Sequence, residues 1–235
     1  MTLLHTIKGI VFDLDDTLYP QVSFKRSGFR AVASRLAERA LADYETVLAT
    51  LEDVLQQNGP SYGKMFDDAL QRLGIEQVAA ADLIEVFRTH VPQIELYTGV
   101  DDLLMKLRAS KRVGLLTDGL AQVQRNKVAA LGLDAGMDAL LFSDELATQK
   151  PDERLFAWFE QHFDLAASQL LYVGDNPAKD FYGARRRGWR TLRVLTGEHA
   201  TATPPGDRYS ADDTLDKVTE LCVWLDGAVA SRPWR

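Results

Sequence analysis

Five short apolar runs punctuate the chain, at residues 9–12, 113–116, 139–142, 170–173 and 191–195. Each is too short for a typical helix and apolar nearly throughout, the pattern of a strand buried on both faces. Helical periods lie between most of them. Leu120, Val123, Lys127, Ala130 and Leu131 give one face, with Lys127 as its polar exception. Leu155, Phe156, Phe159 and Phe163 give another, and Leu215, Val218, Cys222 and Leu225 give a last helix. This alternation predicts an α/β fold, a doubly wound parallel sheet covered by helices on both sides. In such sheets ligands gather at the carboxyl ends of the strands.

The alternation breaks once, between the first run and Val113. Phe29, Val32, Ala33, Leu36 and Ala40 form an apolar stripe, followed by Val47, Leu48, Leu51 and Val54. Phe66, Ala69, Leu70 and Leu73 form a third, with Gly74 placed as a C-cap. Leu83, Ile84 and Phe87 form a fourth, which stops near Pro92. A βα loop takes about 2–6 residues, so an insertion of roughly 75 is expected to be a separate all-helical subdomain. The expected division is a core of residues 1–18 and 96–235 and a helical insert of residues 19–95, with a helix over 101–110 returning to the core. The segments 19–22 and 91–97 are natural hinges, residues 201–206 read as a surface loop, and no internal repeat is visible.

Composition narrows the possibilities. The chain has 235 residues, 46% of them hydrophobic, enough for a substantial core. A net charge of -7 offers no basic field for nucleic acid, and none is expected as a partner. The single cysteine, Cys222, excludes an intrachain disulfide and is expected in the core. No basic segment followed by an apolar run marks a signal peptide, and no apolar stretch is long enough for a membrane span, so a cytoplasmic location is expected.

The chemistry concentrates where the apolar runs end. Ile10-Val11-Phe12 gives way to Asp13-Leu14-Asp15. Two carboxylates at the mouth of a buried strand repel unless a cation or a proton separates them, which suits a Mg2+ site with an aspartyl nucleophile beside a carboxylic acid. The second run ends in Thr117-Asp118-Gly119 before a helix, where a hydroxyl and free N–H groups can bind an anion or simply cap. Lys150 precedes Pro151 and the capping residue Asp152. The fourth run ends in Gly174-Asp175-Asn176-Pro177, with Asp180 expected one turn into the next helix. Asp175 lies beside Asp13 if the first and fourth strands are neighbours. Taken singly, each of these is also an ordinary helix-start residue.

With these four motifs in this order over residues 7–195, the chain resembles the haloacid dehalogenase superfamily of phosphohydrolases. The resemblance implies a Rossmann-like core, a helical cap of the first type and Mg2+ as cofactor. It implies that Asp13 attacks phosphorus and that Asp15 protonates the leaving alcohol and then deprotonates water. Thr17 would fix the loop that carries Asp15. Thr117 and the Gly119 N–H would hold phosphoryl oxygens, and Lys150 would neutralise Asp13 and the phosphate. Asp13, the Asp15 carbonyl and Asp175 would hold the metal, with Asp180 next to it. Asp118 stands where the family often has Asn, so it either turns away from the phosphate or meets a substrate hydroxyl.

The implied activity is hydrolysis of a small phosphorylated metabolite, a sugar phosphate or a nucleoside monophosphate. A phosphomutase shares these residues. A 2-haloacid dehalogenase needs neither Asp15 as an acid nor Asp175 as a ligand, and a non-catalytic binding module would need none of them intact. For substrate choice the candidates lie in the insert: Arg26, with Lys25 and Arg30, for a second anion, and the turn-rich stretch 58–64 with Tyr62 and Lys64. Asp-Thr-Leu-Tyr together with Tyr-Gly in that stretch is similar to pyrimidine nucleotidases of the superfamily. His5, His90, His162 and His199 show no ligand spacing. Arg185, Arg186 and Arg187 read either as helix C-terminal cations or as an anion patch. Oligomeric state is not encoded in any of these patterns.

Overall fold

A computed structural model describes residues 6–227. The chain divides into two compact units, one with the residues up to Gln21 and from Glu95 onward, the other spanning Val22–Ile94.

The first unit is built on a six-stranded sheet of order β3-β2-β1-β4-β5-β6. Its strands are β1 (Gly9–Phe12), β2 (Arg112–Thr117), β3 (Ala139–Phe142), β4 (Leu170–Gly174), β5 (Arg190–Val194) and β6 (Asp213–Leu215). All pairings are parallel. This is the doubly wound, Rossmann-like order, and the strand order reverses outward from β1, where a crevice forms at the carboxyl ends. β1 lies between β2 and β4, with Phe12 opposite Leu115 on one side and Val173 on the other. Asp13 and Asp175 therefore leave adjacent strands, as their neighbourhood requires.

Helix α7 (Glu153–Phe163) buries Leu155, Phe156, Phe159 and Phe163, the stripe its sequence spacing predicts. These rings pack with Val11, Leu116 and Tyr172 in one core cluster. Its N-cap Asp152 accepts from the Arg154 N–H at 2.9 Å. Helix α8 (Phe181–Arg187) ends at Gly188 in the left-handed conformation. Its three arginines are committed: Arg186 pairs with Glu153, Arg187 with Glu160, and Arg185 donates to the carbonyls of Asp207 and Ser210. Those contacts fit the reading of these arginines as helix C-terminal cations.

Two expectations about the C-terminal region need correction. Leu215 closes the edge strand β6, and the last helix covers only Leu221–Leu225. Cys222 is half-buried there, while Leu221, Trp224 and Leu225 fill the core. The 3–4 spacing of these apolar residues coincides with a helix across what is in fact a strand, a turn and a short helix. Residues 201–206 form the irregular connection the sequence predicts.

The second unit is all helical: α1 (Gln21–Glu38, whose first residue belongs to the sheet unit), α2 (Tyr44–Asn58), α3 (Met65–Leu73) and α4 (Ala80–Thr89). Its own core joins Phe29, Val32, Leu36, Val47, Leu51, Phe66, Leu70 and Leu83. Asp43 caps α2 by accepting from Thr46 N at 3.2 Å, and Gly74 caps α3 at φ 65°. Ala40 lies beyond the end of α1 at φ 53°, outside the stripe its spacing predicts. Helix α5 (Val100–Arg108) opens the return to β2. No helix among the described residues is long and apolar enough to cross a membrane.

Candidate active site

The carboxyl end of the sheet gathers the predicted acids around one lysine. Asp13 follows β1 and is locked to β4 by its N–H, which donates to the Val173 carbonyl at 2.9 Å. Lys150 is 4% exposed. Its Nζ lies 2.6 Å from Asp13 Oδ1, 2.7 Å from Asp180 Oδ1 and 3.1 Å from the Tyr172 hydroxyl. Burial alone would lower the pKa of this ammonium, but the charges of Asp13 and Asp180 outweigh it and hold the value well above the ordinary lysine range.

Asp13, Asp175 and Asp180 each place a carboxylate oxygen within 4.8 Å of the others, and all are buried. Lys150 and the buried Arg193, which also feels the charges of Asp175 and Asp180, do not balance three buried acids. Burial, with Asp180 adding repulsion, pushes Asp13 up to about 7 despite Lys150. Burial, then Asp180 and Asp13, pushes Asp175 up to about 9. Asp175 Oδ2 has no hydrogen-bond partner among the described residues. A buried carboxylate oxygen left in that state is costly unless something positive meets it.

Asp180 is not one turn into a helix, as the sequence spacing suggests. It stands at the N-cap position of α8 after a turn, and its side chain reaches back to accept from Asn176 N at 2.8 Å. Gly174 makes room for it, since a Cβ there would sit 2.4 Å from Asp180 Oδ2. Gly174→Ala is therefore expected to push Asp180 off both the Asn176 N–H and Lys150. The expected cost in folding stability is about 1–3 kcal/mol, read from denaturant titration, with a clear loss of turnover.

The loop from Asp13 to Leu18 is held differently from the expectation. Thr17 is fully buried, but its hydroxyl has no hydrogen-bond partner among the described residues. Asp16, at φ 56°, fixes the loop. Its carboxylate accepts from Gln21 N at 2.8 Å and Glu198 N at 3.0 Å, and its carbonyl accepts from the Thr196 hydroxyl. Gly197 is required there, because a Cβ would overlap the Asp16 side chain. Arg193, fully buried on β5, donates to the carbonyls of Asp175, His199 and Ala202. An arginine within an otherwise buried apolar run was a visible but unread signal.

Asp15 points into a separate polar cradle. Lys127 Nζ lies 2.7 and 3.0 Å from its two oxygens, Gln124 Nε2 donates to Oδ2 at 3.0 Å, and the Tyr19 hydroxyl donates to Oδ1. Burial would raise the Asp15 pKa, but Lys127 and the hydrogen bonds from Tyr19 and Gln124 together hold it below the usual carboxylate value. Gln124 and Lys127 lie on α6 (Ala121–Ala130), whose buried residues are Gln124, Lys127 and Val128. The apolar stripe expected there is overturned in part: Leu120 is 47% exposed and Ala130 is exposed. The polar exception in the stripe was the signal.

Thr117, at the end of β2, is buried and accepts from Gln124 Nε2. Gly119 has φ 117°, and Asp118 turns one oxygen to Lys150 N at 3.1 Å. In the helical unit, Arg26 is paired with Glu52 at 3.2 Å, the Tyr62 hydroxyl donates to Asp68 at 2.7 Å, and Lys64 is exposed at the start of α3. Among the histidines, His90 contacts Ser27, His162 stacks on Trp158 and His199 contacts Asn176, so each has its own partner; His5 lies outside the described residues.

Residues 10–194 match the family model of haloacid dehalogenase-like hydrolases. The chain belongs to that family. Among its relatives are glyceraldehyde 3-phosphate phosphatases of Methanopyrus kandleri, 30% identical over 92% of this chain and 95% of the other, and of Methanocaldococcus jannaschii, 32% identical with the same coverage. A solved structure of a 2-haloacid dehalogenase from Pseudomonas syringae pv. Tomato superposes with a TM-score of 0.64 at 25% identity, over 95% of this chain and 100% of that one. The protein is an enzyme of the hydrolase class, with curated relatives named as phosphatases.

Proposed function

We propose that this enzyme is a Mg2+-dependent phosphatase that hydrolyses a small phosphomonoester through an aspartyl-phosphate on Asp13. The observation that carries the reading is the buried group of Asp13, Asp175 and Asp180, short of positive charge and with Asp175 Oδ2 unpartnered among the described residues. A hard cation with oxygen ligands fits that donor set. Asp13 and Asp175 would hold it with the Asp15 carbonyl, and Asp180 beside them. When bound, Mg2+ supplies positive charge to phosphoryl oxygens and lets an anionic carboxylate meet an anionic ester.

The chain's own residues do the rest. Thr117 and the Gly119 N–H hold phosphoryl oxygens, and Lys150 aims Asp13 while neutralising the group that arrives. An Asp13 oxygen forms a bond to phosphorus as the ester oxygen leaves with a proton from Asp15. In the second step Asp15 takes a proton from water, the water oxygen bonds to phosphorus, and the bond to Asp13 breaks. Free phosphate, the Asp13 carboxylate and protonated Asp15 result. Lys127 favours the ionised form of Asp15, the form the second step uses, so Asp15 takes up a proton from solvent before the first step. Positioning and charge neutralisation are the main demands of phosphoryl transfer.

The relatives' names favour a short sugar phosphate over a nucleotide. The helical unit Val22–Ile94, inserted directly after the Asp15 loop in sequence, is assigned the role of a cap that chooses among substrates. A 2-haloacid dehalogenase would leave Asp15 and Asp175 without tasks. Phosphate release is measured across sugar phosphates, nucleoside monophosphates and small phosphorylated acids, with and without Mg2+, beside halide release from 2-chloropropionate. Mg2+-dependent phosphate release is expected. Halide release in chelator, with no phosphate release, overturns the reading.

A further inference from the structure

We infer that Gln124 and Lys127 are positioning residues with separable tasks: Lys127 fixes the Asp15 carboxylate, and Gln124 orients the Thr117 hydroxyl toward the phosphoryl group. This rests on the phosphatase reading above.

The two side chains are three residues apart on α6 and so share a face. They are 2% and 4% exposed, an unusual state for these residue types without partners. Lys127 spans both oxygens of Asp15, at 2.7 and 3.0 Å. A lysine bound across both oxygens restricts where the carboxylate can go. Without it, Asp15 would keep hydrogen bonds on the Tyr19 and Gln124 side only and would be a half-buried acid with no counter-charge.

Gln124 has a different geometry. A single nitrogen, Nε2, donates to Asp15 Oδ2 at 3.0 Å and also to Thr117 Oγ1. The amide turns its nitrogen, not its oxygen, toward Asp15 Oδ2, an oxygen that also accepts from Lys127. That choice fixes the second contact: Thr117 Oγ1 must accept from the same nitrogen. Its one proton is then directed away from Gln124 and is available to an arriving anion. Left free to rotate, the hydroxyl would have to be ordered at each binding event. Gln124 thus couples the hydroxyl at the end of β2 to the acid after β1, which lies 109 residues before Gln124 in sequence.

The test uses the intact chain with Mg2+, p-nitrophenyl phosphate as substrate and inorganic phosphate as competitive inhibitor. In Lys127→Met, kcat is expected to fall about fifty-fold while the inhibition constant of phosphate stays within about two-fold. In Gln124→Met, which keeps the side-chain length but has no donor, that constant is expected to rise about ten-fold, with a smaller loss of kcat than in Lys127→Met. General loosening of α6 would move both constants together in both variants, and parallel change overturns the inference. So does Lys127→Met retaining more than about a third of wild-type kcat. Should Lys127→Met fail to show a cooperative thermal transition, Gln124→Met decides alone: unchanged phosphate affinity overturns the inference. A wild-type enzyme silent on p-nitrophenyl phosphate and on all other phosphomonoesters removes the phosphatase reading itself and the inference with it.

Discussion

Asp13→Asn is expected to fold normally and to lose turnover by about four orders of magnitude, because a group that forms a bond in the transition state has no substitute of equal reach. The neighbours make this sharper. Asp180 is engaged by Lys150 at 2.7 Å and by Asn176 N at 2.8 Å, so it is not free to take over. The change also removes one negative charge from an overcharged group, so the melting temperature is expected to stay level or rise. Steady-state phosphate release and a thermal melt check both halves. Activity above about a tenth of wild type sinks the covalent mechanism.

Removing divalent metal is expected to abolish activity, with recovery on adding Mg2+ and much weaker recovery in Asp175→Ala. A second readout does not need turnover. The folded-state pKa values of Asp13 and Asp175, about 7 and about 9 in the metal-free chain, lie above the ordinary carboxylate value of 3.8. Between that ordinary value and the raised ones, the folded chain holds protons that the unfolded chain has released, so these two acids lower stability progressively as pH rises. Protons and metal compete for the same oxygens. The rise in melting temperature caused by Mg2+ is therefore expected to be larger at pH 8.5 than at pH 5. An equal or smaller rise at the higher pH, or full activity in chelator, contradicts the metal assignment.

The sheet was largely legible in the sequence, for a simple physical reason. A strand covered on both faces must be apolar throughout, and β1 and β3 coincide with their runs residue for residue. The edge strand β6 lacked that signal, being three residues long and beginning with Asp213. Within the site, residues at strand ends were legible because a sharp change from apolar to acidic marks them. Gln124, Lys127 and Asp16 were not read as site residues. The first two occupy a helix face that is polar inward, and periodicity interprets an inward polar residue as an interruption when its partner lies 112 residues away, as for Lys127 and Asp15. Asp16 sits beside more conspicuous acids, and its left-handed backbone has no signature in residue type alone.

The clasp at Asp16 has a consequence for how the molecule comes into being. It joins the loop after the first strand to Thr196 and Glu198, 180 and 182 residues further on. Translation delivers the chain from its N-terminus, so Asp13 leaves the ribosome long before the residues that clasp its loop. Until Glu198 has cleared the ribosome, Asp13, the proposed nucleophile, is without that clasp. The loop is therefore expected to set only once residues 196–198 have docked on it, and a nascent chain stopped short of them is expected to carry Asp13 on a loop without that clasp.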